Sequence, residues 1–192
     1  MQLIVADPEQ IRAVTGFNFH RGCLALAYRH TPEIPFDELV THSRILAIEG
    51  VGNPDNIGGL FRSAVALGVG AVLLDSTAGD PLYRKAIRTS MAATLRVPYA
   101  RETDFAGMLR WLRTRGYRVV ALTPNEAAGS IDEVELDRDA RLVVLVGSEG
   151  NGLSASAFAQ SDLRVRIPVD SRADSLNVVA AASIALHALR RR

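Results

Sequence analysis

Leu142-Val-Val-Leu-Val146-Gly147-Ser-Glu149-Gly-Asn-Gly152-Leu153-Ser154 is the stretch on which the fold turns. An unbroken run of branched apolar residues marks a strand buried on both faces. The glycine-rich turn after it leads directly into a helix-prone segment at 154–160. Strand, tight turn and helix make the unit from which parallel sheets are assembled. The turn therefore places backbone amides, and Glu149 as a fixed carboxylate, at the carboxyl end of a strand. Outward from it, apolar runs at 45–48, 71–74, 118–122 and 163–167 read as further strands, and 56–67, 104–115 and 176–189 as further helices. The expected fold class is α/β, with a mostly parallel sheet flanked by helices.

The chain has 192 residues and 20.7 kDa, 48% of them apolar and 22% charged, which suits one sizeable core and excludes both large-scale disorder and two full catalytic domains. Cys23 is the single cysteine, so an internal disulfide and a cysteine-cluster metal site are both excluded, and it reads as a small buried residue. His20, His30, His42 and His187 lack metal-ligand spacing, and no metal is expected. The first residues lack the layout of a signal peptide. The longest apolar tract, 176–189, is broken by Asn177, Ser183 and His187, short of the roughly 20 residues a membrane span requires. No membrane segment is expected, and the expected location is cytoplasmic. The tract is apolar on nearly every face, so it reads either as a central core helix or as one shared with a second subunit.

The net charge of +1 conceals a division along the chain. Between Arg84 and Arg118 nine Lys and Arg residues stand against two acids, whereas Val119 to Leu163 holds two Arg and eight acids. A basic stretch of that density suits a polyanion such as nucleic acid, or a solvated helix face.

Besides the central turn, two other segments could carry chemistry. In Glu49-Gly-Val-Gly-Asn53-Pro-Asp-Asn56-Ile-Gly58-Gly59-Leu-Phe-Arg62 a strand ends, the chain turns, and Asn56 is placed to cap a helix. Two glycines in a first helical turn, each costing about 1 kcal/mol relative to alanine, point to a close approach to the backbone there. Arg62 would stand on that helix near the strand-end crevice, in reach of a phosphate. In Ile167-Pro-Val-Asp-Ser-Arg-Ala-Asp-Ser175-Leu176-Asn177, Ser175 is the expected helix cap, with Asn177 in the first turn. Taken singly, each segment also reads as an ordinary loop and cap. Gly150, Gly152 and Ala155 satisfy a dinucleotide fingerprint nominally, with Asp170 further along the chain. Ser148 and Glu149 separate that pattern from its strand, and a glutamate beside a pyrophosphate argues against a nicotinamide or flavin enzyme. No G-x-S-x-G elbow and no Walker A sequence is present.

Together, in this order, Asn53-Pro-Asp-Asn56-Ile-Gly58 through Arg62-Ser-Ala, Val146-Gly-Ser-Glu149-Gly-Asn-Gly-Leu, and Ile167-Pro-Val with Ser175-Leu-Asn177-Val resemble the three motifs of the SpoU-type (TrmH-like) RNA 2′-O-ribose methyltransferases of the SPOUT superfamily. The resemblance runs from about Arg44 to the C-terminus. It implies a domain over 41–192 with a deep C-terminal trefoil knot, a homodimer, S-adenosylmethionine as methyl donor, and tRNA or rRNA as substrate. The knot follows from the resemblance alone, since chains in general avoid threading. By motif position, Leu122, Thr123, Gly147, Ile167 and Leu176 would line the methyl-donor pocket. Asn56, Arg62, Glu149, Ser175 and Asn177 would surround the reacting ribose, with Arg62 as the catalytic residue. Residues 1–40 would be the remnant or linker of an N-terminal RNA-binding domain, with the basic segment 84–118 and Arg190 to Arg192 as further RNA contacts. The alternative is a non-catalytic RNA-binding module of the same fold, which would have no evident need for Arg62, Glu149 and Asn177 together.

Overall fold

The structure, a computed structural model, describes residues 3–18, 23, 25, 28, 33–137, 139–170, 172–173 and 175–190. Most of 23–28, which reads in the sequence as a strand, the start of HTPEIP at 30–35, which reads as a Pro-bounded loop, and Arg191 and Arg192 lie outside these residues. Cys23 is exposed rather than buried. The chain divides into two compact units, Met1–His30 and Thr31–Arg192. In the first, α1 (Pro8–Thr15) opens with a capping box between Asp7 and Gln10 and ends at Gly16, in the left-handed region at φ 76°.

The second unit contains α2 (Phe36–Leu39), β1 (Arg44–Ile48), α3 (Pro54–Ala66), β2 (Ala71–Asp75), α4 (Arg84–Thr89), β3 (Tyr99–Glu102), α5 (Phe105–Thr114), β4 (Tyr117–Leu122), β5 (Gly129–Ser130), β6 (Arg141–Val146), α6 (Ala155–Phe158), β7 (Leu163–Arg166) and α7 (Val178–Ala188). The five expected strands and the expected helices are present with ends moved by at most two residues. The exposed helix α4 and the strands β3 and β5 were not expected, because RKAIRT, YARE and GS carry no apolar run.

All pairings within the sheet are parallel, in the order β3-β2-β1-β6-β4-β7-β5. Side chains alternate across it. Leu46, Ile48, Val72, Leu74, Val144 and Val146 face α3, α4 and α7, whereas Ile45, Ala47, Leu73, Val143 and Leu145 face α2, α5 and α6. Both faces are covered, which is why β1, β2 and β6 read as continuous apolar runs. From β1 the chain winds outward to β2 and β3 and returns on the other side at β4, leaving the place that β6 later fills. The carboxyl ends of β1, β6, β4 and β7 thus stand side by side at the point where the winding reverses, the usual position of a ligand crevice in open α/β sheets.

Candidate active site

Turns and helix starts at the carboxyl ends of those four strands build the site. After β1 the chain reaches α3, whose cap is Asn53 rather than the expected Asn56: Asn53 Oδ1 accepts from Asp55 N at 2.9 Å, with Pro54 at the first helical position. Asn56, released from capping, is buried in the first turn, and its Oδ1 accepts from Asn177 Nδ2 at 3.1 Å. At the start of α7 the expected roles are again exchanged. Asn177 is the cap, its Oδ1 accepting from Val179 N at 2.9 Å, and Ser175 is exposed with no hydrogen bond among the described residues.

Asn177 Nδ2 also donates to Glu149 Oε1 at 2.6 Å, and Val178 N points at the same oxygen from 3.4 Å. The carboxylate of Glu149 therefore lies against the amino end of α7, where the helix dipole favours negative charge. Asn56, Glu149 and Asn177, one from each motif, meet in a single hydrogen-bonded cluster.

Gly147 holds the central turn closed. A Cβ there would lie 2.4 Å from the Gly152 carbonyl, so only glycine permits the turn to fold back. Gly152 N donates to Ser148 O at 3.0 Å, and Gly152 is itself at φ 66°. A carboxylate not anticipated from the sequence fastens the far side. Glu49 accepts from Ser154 N at 2.8 Å and from Ser154 Oγ at 2.6 Å, tying the end of β1 to the start of α6. Asp75, buried at the end of β2, likewise accepts from Gly50 N at 3.0 Å and Ala78 N at 2.8 Å. The available signal was a single acid closing each apolar run, ILAIE and VLLD.

The two glycines of α3 are explained by neighbouring helices rather than by a ligand. A Cβ on Gly58 would meet Ala86 O of α4 at 2.6 Å, and one on Gly59 would meet Val179 Cγ2 of α7 at 2.8 Å. Next to them Ser63 and Ser183 bring their hydroxyls within 2.8 Å. On the α4 side Asp55 pairs with Lys85 at 2.6 Å, and that contact holds its carboxyl below the ordinary range. Arg62 stands apart: it is exposed, about 9 Å along the helix axis from Asn56 by helix rise, and has no hydrogen bond among the described residues.

The residues expected to hold the methyl donor lie at adjacent strand ends. Leu122 and Thr123 lie at the end of β4, Gly147 just after β6, Ile167 just after β7, and Leu176 just before α7, all of them partly buried. Leu122 and Ile167 pack on the α3, α4 and α7 core, giving an apolar floor beside the glycine turn. Close by, Thr123, Asn125, Ala127, Ala128, Gly129, Phe158 and Arg164 line a cavity of about 160 Å³. A larger concavity, about 570 Å³, lies away from the motifs between α2, β3 and α5. Among the described residues no three His, Cys, Asp or Glu side chains gather as a metal site, and no helix is long and apolar enough to cross a membrane.

A sequence profile of the SpoU rRNA Methylase family matches residues 43–187, which include all three strand-end motifs. The chain belongs to the SpoU rRNA methylase family. Among family relatives, it is 42% identical to an uncharacterised tRNA/rRNA methyltransferase of Mycobacterium bovis over 95% of its own length and 64% of that protein's. It therefore spans about two thirds of that relative. It is 31% identical to a 23S rRNA (guanosine-2′-O-)-methyltransferase RlmB of a Burkholderia species, covering all of this chain and 78% of the relative. The SpoU methyltransferase AviRb from Streptomyces viridochromogenes, solved in complex with the cofactor AdoMet, superposes with a TM-score of 0.67 at 26% identity over 75% of this chain and 58% of its own.

Proposed function

We propose that the protein is an S-adenosylmethionine-dependent methyltransferase that methylates a ribose 2′-hydroxyl of tRNA or rRNA. The observation that carries this reading is the convergence of Asn56, Glu149 and Asn177 from three distant segments onto one point at the strand ends. The relatives supply its context, since one is named for guanosine 2′-O-methylation and another was solved with AdoMet.

Transfer to a hydroxyl is an in-line displacement, so alignment and loss of the hydroxyl proton are what the protein must provide. The donor, when bound, supplies an electrophilic sulfonium methyl. Leu122, Ile167 and Leu176 offer the apolar walls to hold it, with Thr123 and Gly147 contributing polar contacts beside them. Glu149 uses Oε1 for Asn177 and Val178, leaving Oε2 to accept from a ribose hydroxyl. Asn56 and Asn177 fix that carboxylate in place, and Ser175, exposed at the rim, offers a further hydroxyl to the sugar. A guanidinium is a poor base, so the role of Arg62 is to bind a phosphate and orient the hydroxyl.

The reading extends to the assembly. Ile184 on α7 and Val65 on α3 are 41% and 42% exposed, apolar side chains that a second copy of the chain would cover. The region from β6 through α7 would be threaded as a trefoil knot, and residues 1–40 would lead in from an RNA-binding module of a cytoplasmic enzyme.

Calorimetric titration with S-adenosylmethionine, and in parallel with NAD, tests the proposal without needing the right RNA. Saturable binding of the methyl donor alone is expected. Binding of NAD alone, or of neither, would overturn it.

A further inference from the structure

The nine cations between Arg84 and Arg118 do not form one surface. Arg101 is spent inside the fold, donating to Asp75 O and Ala78 O at 2.9 Å. Arg113 pairs with Asp162 at 2.5 Å, Arg115 lies over the Trp111 ring, Arg118 reaches Glu135 O at 3.4 Å, and Lys85 is held by Asp55. Of the four guanidinium groups left without a partner among the described residues, Arg110 stands alone on α5. Arg84 and Arg88 share one face of α4, and Arg96 lies at the end of the 3₁₀ turn Ala93–Leu95 just beyond it.

The same surface exposes apolar side chains that a solvated face would lack. Tyr83 is 56% exposed, Met91 68% and Leu95 50%. Met91 and Ala92 both adopt positive φ, 52° and 62°, which turns the chain sharply between α4 and the 3₁₀ turn. This patch also adjoins the candidate active site. In the first turn of α3, Asp55 reaches Lys85 and Thr89 of α4 while its neighbour Asn56 reaches Asn177. Adjacent residues of α3 thus touch the two surfaces.

From this arrangement we infer that the α4 surface is where RNA docks, with Arg84, Arg88 and Arg96 on successive phosphates and Tyr83 stacked on an unpaired base. The inference rests on the methyltransferase reading for the identity of its polyanion. Unpartnered guanidinium groups supply phosphate contacts, and an exposed aromatic beside them favours a single-stranded loop over a duplex, whose bases are already stacked. A substrate nucleotide in a loop, held by its neighbours on α4, would be delivered across the start of α3 to Glu149.

Fluorescence anisotropy tests this with two labelled probes, a stem-loop RNA and the blunt duplex of the same stem, titrated at several salt concentrations. The double variant Arg84→Glu/Arg88→Glu is expected to weaken stem-loop binding at least about ten-fold and to lower the log–log salt slope by roughly one to two. Tyr83→Ala is expected to reduce the preference for the stem-loop by about five-fold or more. Arg110→Glu on α5 should stay within about two-fold of the parent. Equal loss in the α5 variant, no loss in the α4 variants, or no binding by the parent would overturn the inference. So would unchanged RNA binding accompanied by a change in molecular mass on light scattering, which would make the patch a protein interface. Each variant is also titrated with S-adenosylmethionine and should bind it as the parent does. Loss of donor binding in the parent would instead remove the methyltransferase reading, leaving RNA docking to be judged on the anisotropy.

Discussion

Asn177 performs three tasks with one side chain: its oxygen caps α7, and its amide nitrogen bridges Asn56 and Glu149. Asn177→Ala should therefore lower stability by about 1 kcal/mol, the usual value of a lost cap, and the melting temperature by about 2–4 °C. Methyl transfer should fall much further than that loss of stability explains, which a turnover assay below the melting range would show. Arg62 presents the opposite case, an exposed side chain with no hydrogen bond to lose among the described residues. Arg62→Ala should leave the melting temperature unchanged and the donor affinity within a few-fold of the parent while nearly abolishing transfer. Retained turnover would remove it from the catalytic role.

At this scale the motif residues were legible as types but not as roles. Asn56 and Ser175 each read as caps because any Asn or Ser before an apolar run can be one. In the fold, Pro54 starts α3 earlier and gives its cap to Asn53, and α7 starts only at Val178. Glu49 and Asp75 gave no spacing pattern at all, because their partners, Ser154 and Gly50, are brought to them only by the assembled sheet.

Among the elements, those with an apolar run or a helical period could be read. The ones read poorly were those that the rest of the fold holds in place. Strand β3 is a short edge strand held by β2 and by a bridge from Glu33 to Tyr99, and α4 is a six-residue helix that survives by packing its Ala86 carbonyl against Gly58. Gly58→Ala should accordingly push α3 and α4 apart and destabilise the protein by about 1–3 kcal/mol, the range for overpacking a close contact, as measured by denaturant unfolding. The turn between β6 and α6 carries a sharper expectation. Gly147→Ala cannot keep the approach to Gly152, so the turn must open, and donor affinity measured by calorimetry should fall about ten-fold or more with little change in secondary structure by circular dichroism. Donor affinity like that of the parent would mean that the turn does not form part of the pocket.

For the whole molecule, the α/β class was visible because both sheet faces are covered and the central strands carry unbroken apolar text. The sheet order was not, since nothing local says that β6 enters between β1 and β4. The last helix was readable only as needing cover on more than one side, and the structure covers it with α3 on one side and with β4 and β6 on another, leaving Ile184 41% exposed. Ile184→Arg should convert a dimer to monomer on light scattering at micromolar concentration with the unfolding midpoint of the monomer little changed. A parent that already runs as a monomer would count against the shared helix.

The late arrival of β6 also fixes an order in time. Chain leaving the ribosome can wind β1, β2, β3 and β4, but β1 and β4 then flank a gap, and the residues that close it begin only at Arg141. Gly147, Glu149, Ile167 and Asn177 all lie beyond that point, so a chain interrupted before it leaves one edge of β1 and both edges of β4 unpaired and lacks most of the proposed site. Synthesis interrupted before Arg141 thus leaves a fragment whose exposed strand edges favour aggregation over function.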